Sequence, residues 1–156
     1  MTSMDIKSAL ILVLSGFVGS LGFALLFRMT KSKIIYAALG GAVTCIAYVI
    51  CCHFFENEFY QNLFPALIAT AYSEILARLT KAPSTAYIII SIISLVPGGK
   101  LYYTMYNFIT NNDALFMEYL TATARIAGGL AVGIIIVSVI IKEVNYSKFK
   151  QIYDME

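Results

Sequence analysis

Charge is what this chain has least of. Of its 156 residues, 11 are Lys or Arg and 9 are Asp or Glu, 13% in all, against 60% hydrophobic. A soluble domain carries about 25% charged residues. The composition therefore excludes an ordinary water-soluble globule and, with a mean hydropathy of +0.80, points to an integral membrane protein. The net charge is only +2, which offers nothing for nucleic acid. Cysteine occurs three times, as Cys45, Cys51 and Cys52, all inside one apolar run. The adjacent pair has neither zinc spacing nor a bridging partner, so the three read as small apolar residues. The one histidine, His53, stands beside Phe54, Phe55 and Glu56 and reads as interfacial. No companion set of His, Cys or carboxylates forms a metal site. No nucleophile–base pair has recognisable spacing and no phosphate loop is present. An enzyme is not expected, nor a cofactor or metal. Long polar loops, repeats and low-complexity linkers are also missing, which leaves one membrane domain over 1–156. The first apolar run is about 20 residues, too long for a signal-peptide core, and no A-x-A site follows it. It is expected to stay in the mature protein.

What the sequence does have is apolar runs of bilayer length. A membrane helix needs about 20 such residues to cross about 30 Å of hydrocarbon. Runs over 8–27, 34–55, 60–78 and 119–141 meet that requirement, with Glu74 in the third and Arg125 in the last. Residues 84–110 decide the count. A helix ending at Pro97 would reach only about 21 Å, too short to cross. Continued over 86–109, it crosses, with Pro97, Gly98 and Gly99 near its middle. The expected fold is therefore all-α with five transmembrane helices, the fourth broken near the midplane, followed by a polar tail over 142–156. Charge fixes the orientation. Five spans collect Arg28, Lys31, Lys33, Arg78, Lys81, Lys142, Lys148 and Lys150 on one side and Lys7 alone on the other. Basic residues concentrate on the cytoplasmic side of short loops, so the N-terminus is expected outside and the C-terminus in the cytoplasm.

The stretch "SLVPGGKLYYTM", Ser94 to Met105, carries the chemistry. A break within the membrane frees backbone N–H and C=O groups, tolerated only where protein or a wet cavity satisfies them. Transporters place such broken helices at their binding sites, with half-helix N-termini facing anionic groups. Pro97 removes one N–H and clashes with the preceding turn; Gly98 and Gly99 permit the bend. Lys100 is expected roughly 15 Å from either interface, too far to snorkel, and a central lysine costs about 2.5–3.5 kcal/mol on insertion scales. It calls for an aqueous cavity, an acidic partner or an anionic ligand. A merely kinked helix, with Lys100 in a water defect or facing another subunit, is the blander reading. Arg125 either snorkels outward and pairs with Glu118 or clamps a carboxylate through two parallel hydrogen bonds. Glu74 precedes Arg78 by four residues, as a structural ion pair or as a proton-coupling acid raised by burial. Tyr36, Phe59, Tyr60, Phe108 and Tyr119 fit an interfacial aromatic belt. Glycines at 16, 19 and 22, at 40 and 41, and at 128, 129 and 133 offer close-packing faces, which points to self-association or a partner.

Several of these pieces, in order, resemble the threonine/serine exporter family in its small-subunit, C-terminal-half form. They are "GFALLF" at Gly22–Phe27, "AALGG" at Ala37–Gly41, "SEILARLTKAP" at Ser73–Pro83 and "SLVPGGKLYYTM". In the last, Pro97, Gly98, Tyr102 and Met105 fall on the family's Pro-Gly…Tyr…Met pattern. The resemblance covers about residues 15–110. It implies a multi-pass protein of the bacterial inner membrane, a larger membrane subunit as partner, and export of threonine, serine or dicarboxylates such as succinate, driven by the proton-motive force. All those substrates carry a carboxylate. Pro97, Gly98, Gly99, Lys100, Tyr102 and Arg125 are then the candidate substrate contacts. Glu74 and Arg78, on a Glu…Arg pattern similar to the family's, are the candidate coupling pair. The position of Lys100 looks small or uncharged in the family, so this lysine is a departure that either tunes this member toward a more acidic substrate or salt-bridges to a partner. The rival expectations are a non-transporting scaffold for the larger partner and a channel-like homo-oligomer.

Overall fold

The computed structural model describes residues 6–153, with side chains described over 6–144. All its regular elements are helices: α1 (Ile6–Leu26), α2 (Lys31–Phe54), α3 (Glu58–Thr80), α4 (Ser84–Ile92), a 3-10 turn (Ile93–Leu95), α5 (Gly98–Ile109) and α6 (Asp113–Tyr153). Links of three or four residues force consecutive helices to fold back on one another. Gly16 and Ser20 of α1 meet Cys45 and Gly41 of α2. The Tyr72 hydroxyl of α3 donates to the Tyr36 carbonyl of α2 at 2.9 Å. Ser73 and Ser91 tie α3 to α4 at 3.3 Å. Tyr103 stacks on Tyr119, α5 against α6, with ring centres 5.3 Å apart. α3 and α6 are not consecutive and run parallel: Gly129 lies against Phe59, and Gly133, one turn on, against Leu63 and Ala66.

Three helices, α1, α2 and α6 as far as Val144, are long and apolar enough to cross a membrane. The expected fourth span is a bent pair, α4 with its 3-10 turn and α5, at 60° to each other. α3, at 23 residues, is long enough at about 34 Å but not apolar enough. The reason is its position. It packs among α2, α4 and α6, and its buried face is made of small and polar residues, Asn62, Ala66, Ala69, Thr70 and Ser73 among them. Those polar groups are satisfied within the protein. Thr70 and Ser73 donate to the carbonyls of Ala66 and Ala69, each at 2.7 Å, and Ser20 of α1 donates across to the Ile90 carbonyl at 2.9 Å. α6 continues to Tyr153, so the stretch expected as a tail from Lys142 is helical to that point. The side chains of Lys148 and Lys150 and residues 154–156 lie outside the described residues.

The glycines correct one expectation. Gly16, Gly40, Gly41, Gly129 and Gly133 all face another helix of this same chain, with no room for a β-carbon. The close-packing signal is used internally and does not call for a second subunit. Gly19 and Gly22 meet nothing within 4 Å and are not packing positions here.

Three helices end without glycine where glycine is usual. Arg28, Lys81 and Asn111, just after α1, α3 and α5, have φ of 52°, 50° and 55°. Each is followed by a closing bond to the last turn: Met29 N–H to Ala24 O at 3.1 Å, Ala82 N–H to Ala77 O at 3.1 Å, Asn112 N–H to Asn107 O at 2.9 Å. Asparagine visits this left-handed region easily, but a lysine is strained in it. Lys81→Gly is therefore expected to raise stability by roughly 0.5–1 kcal/mol, and Asn111→Gly by less. Thermal unfolding in detergent checks this, and no gain at position 81 would count against the strain.

Candidate functional site at the helix break

The break is built by proline. Ile93–Leu95 tighten into a 3-10 turn, Val96 is extended, and Pro97 has φ −78° and ψ 56°. The Gly98 N–H turns back to the Val96 carbonyl at 2.8 Å, and Leu101 N–H bonds to Pro97 O at 2.9 Å to start α5. No glycine in the described residues has positive φ, and β-carbons on Gly98 and Gly99 would meet open space. Neither backbone geometry nor packing demands glycine there. What the two glycines leave is a bare helix N-terminus.

Depth along the bundle is set by two contacts. Leu95, just before the break, packs with Ala66 of α3 and Ile126 and Leu130 of α6. Lys100, just after it, forms an ion pair with Glu58, the first residue of α3. The break thus lies between Ala66 and Glu58, nearer the start of α3 than its middle. Of the needs that the sequence assigns to Lys100, the chain itself supplies an acidic partner.

Both charges stand at helix starts, and the helix dipole favours only one of them. Glu58 sits in the first turn of α3, where a carboxylate is favoured by the helix dipole, and the Asn57 side chain caps that turn by accepting from Phe59 N–H at 2.9 Å. Lys100 sits in the first turn of α5, where a cation is disfavoured. It is held by Glu58 against its own helix. The two side chains are 36% and 26% exposed, so the pair is half-open. One Glu58 oxygen faces Lys100; the other, Oε2, is buried and accepts no hydrogen bond.

α6 brings a second pair of charges to the place. Arg125 and Glu118 both lie within electrostatic reach of Lys100. The Arg125 Nε–H donates to the Thr121 carbonyl at 3.3 Å, which leaves the rest of its guanidinium fork on the exposed side of α6. Buried Thr104 donates to the Lys100 carbonyl at 2.8 Å and lies 3.5 Å from the Thr123 hydroxyl, fastening α5 to α6 beneath the charges. The Lys100–Glu58 pair stands at the helix start, and one cation and one acid of α6 act on it through space.

The remaining predicted residues lie elsewhere. Tyr102 is on the exposed face of α5, edge-on to Tyr103 and stacked on Tyr106. Glu74 is half-buried and Arg78 exposed in the second half of α3. Glu74 is 16 residues from Glu58, about 24 Å along the axis, so it cannot share a small ligand with Lys100. Glu58 is the residue that sequence reasoning missed. The signal was there: a lysine inside an apolar run asks for an acid, and "ENE" at 56–58 supplied one.

A concavity of about 220 Å³ lies where α1 and α2 meet the 3-10 turn, away from the charges. Ser15, Gly16, Gly19, Cys45 and Ser94 line it together with apolar side chains, and no charged residue does. It offers nothing to neutralise an ionised ligand. Among the described residues no three His, Cys, Asp or Glu side chains are grouped to hold a metal ion.

Comparison with known proteins agrees with the resemblance seen in the sequence. The family described as "Threonine/Serine exporter, ThrE" matches residues 12–140. No curated protein and no solved structure matches the chain. The matched region takes in most of α1, all of α2 to α5, the break and the part of α6 that carries Glu118 and Arg125, and the chain belongs to the threonine/serine exporter family.

Proposed function

We propose that this chain is a membrane subunit of a secondary exporter for small amino or carboxylic acids, working by alternating access around the break at Pro97–Gly99. The observation that carries the reading is Lys100 in a half-open ion pair at a helix start, with the Arg125 cation of α6 within electrostatic reach of it. An ammonium and a guanidinium beside an unshielded helix N-terminus suit a carboxylate, the group that threonine, serine and succinate share. α3 serves as the remaining span, its low apolarity following from its place inside the bundle. Five crossings put the N-terminus outside and the C-terminus in the cytoplasm of the bacterial inner membrane. The parallel course of α3 and α6 fits that alternation, with the bent pair counted as one crossing. A larger membrane subunit completes the transporter. Glu74, with Arg78 one turn on, is the candidate proton-coupling acid.

One observation favours the scaffold alternative: Lys100 already has a partner inside the chain. Efflux of labelled threonine, serine and succinate from proteoliposomes separates the two readings. The chain is reconstituted alone and with a larger membrane subunit of its family, each with and without a proton gradient. The exporter reading expects flux from the pair that disappears when the gradient collapses. A stable complex that moves none of the three substrates would favour the scaffold.

A further inference from the structure

The Lys100–Glu58 pair is more than a neutralised lysine. Two features set it apart from a structural salt bridge. It joins the starts of two helices, one of which opposes its own cation, and it leaves a buried carboxylate oxygen with no donor. No polar neighbour among the described residues bonds that oxygen. The Asn62 amide donates to the Glu58 main-chain carbonyl at 2.8 Å. The Asn57 side chain accepts from Phe59 N–H, and its amide does not bond that oxygen. Arg125 spends its Nε–H within α6, and none of its other donors bonds that oxygen. α4 carries no charged residue, and His53 and Glu56, before α3, are exposed.

We propose that Glu58 is the specificity-determining group of the site, the one that binds a substrate's ammonium. The inference rests on the reading that Lys100 takes a carboxylate. An α-amino acid carries an ammonium and a carboxylate on one carbon. Inserted into the pair, its carboxylate takes over Lys100, and its ammonium takes over Glu58, supplying the donor that Oε2 lacks. One ion pair becomes two, with charges alternating around the ligand and no charge left bare. A dicarboxylate is treated differently. Lys100 and Arg125 suit its two ends, but Glu58, released from Lys100, then stands beside like charge. The class selected is therefore a zwitterionic α-amino acid over a dicarboxylic acid of the same size. Long Lys100 is the group that moves aside; Glu58, in a capped first turn, keeps its place.

Wild-type protein in proteoliposomes, with the larger subunit, gives the first test. 3-Hydroxybutyrate, which is threonine without its ammonium, is expected to compete with labelled threonine at least tenfold more weakly than serine does. Equal competition overturns the proposal. Glu58→Gln gives the second. The expected result is a rise of tenfold or more in the KM for threonine, with the KM for succinate unchanged or lower. A parallel change for both substrates overturns it. Should Glu58→Gln not be recovered, Glu58→Asp carries the same comparison, with a smaller rise for threonine alone. Wild-type flux of succinate without threonine overturns the role of Glu58 and leaves the exporter standing. No wild-type flux of any substrate removes both.

Discussion

Lys100→Gln is expected to lower carboxylate-substrate efflux by about 10- to 100-fold while the protein still inserts and assembles. A hydrogen bond to a charged group contributes about 1.5–3 kcal/mol, and tenfold corresponds to about 1.4 kcal/mol. Losing the ammonium alone also strands Glu58, whose Oε2 is already without a donor, so the single variant mixes a binding loss with a structural one. The double variant Glu58→Gln/Lys100→Gln separates the two effects. It removes both charges, restores a neutral interior, and is expected to recover thermal stability to near wild type while efflux stays lost. Lys100→Arg keeps the charge and is expected to retain measurable efflux, with altered preference, because a guanidinium is planar and longer. If Lys100→Gln transports at the wild-type rate in a stable complex, the break is a kink and not a binding site.

A large structural effect is expected at Gly129. A β-carbon there would overlap the carbonyl oxygen of Phe59 and stand 3.3 Å from the Leu63 nitrogen. Both obstacles are backbone of α3, so no side chain can turn aside and the helices must separate. Gly129→Val is expected to cost about 1–3 kcal/mol or more and to reduce recovery of monodisperse protein in detergent. Neighbouring glycines give the controls. Gly128→Ala would meet only the Phe59 ring at 3.6 Å, an ordinary contact. Gly22→Ala would meet nothing within 4 Å and is expected to be neutral or to stabilise by up to about 1 kcal/mol, as alanine does in a helix interior. A Gly129→Val protein as stable as Gly22→Ala would mean that α3 and α6 do not pack as described.

The helices were legible because their signals are local. Apolar runs of bilayer length mark α1, α2 and most of α6, and Pro97 marks the break. The long-range part was not. Lys100 and Glu58 are 42 residues apart, and their meeting depends on where α5 points after a 60° turn, which no local pattern encodes. Glu58 stands just before the apolar run at 60–78, where helix ends and links share composition. The glycines marked close approach but not the partner: G-x-x-x-G at 129–133 is the same sequence whether it faces a second copy or, as here, α3. α3 itself fell short of the usual apolarity because its interior neighbours, not lipid, decide its side chains.

The parallel contact of Gly129 and Gly133 with α3 also has a mechanical meaning. α6 has 41 residues and is about 60 Å long, roughly twice the hydrocarbon thickness. Gly129 divides it unequally, with about 24 Å toward Asp113 and about 36 Å toward Tyr153. Gly129 and Gly133, one turn apart, hold α6 against the α3 backbone, and a helix held most closely at one level can pivot there. A rocking of about 10° around it moves the Asp113 end by roughly 4 Å one way and the Tyr153 end by roughly 6 Å the other. Arg125 and Glu118 ride on the short arm. A seesaw of this kind widens the surroundings of Lys100 on one side of the bundle as it narrows the opposite side, with a single rigid helix as the beam.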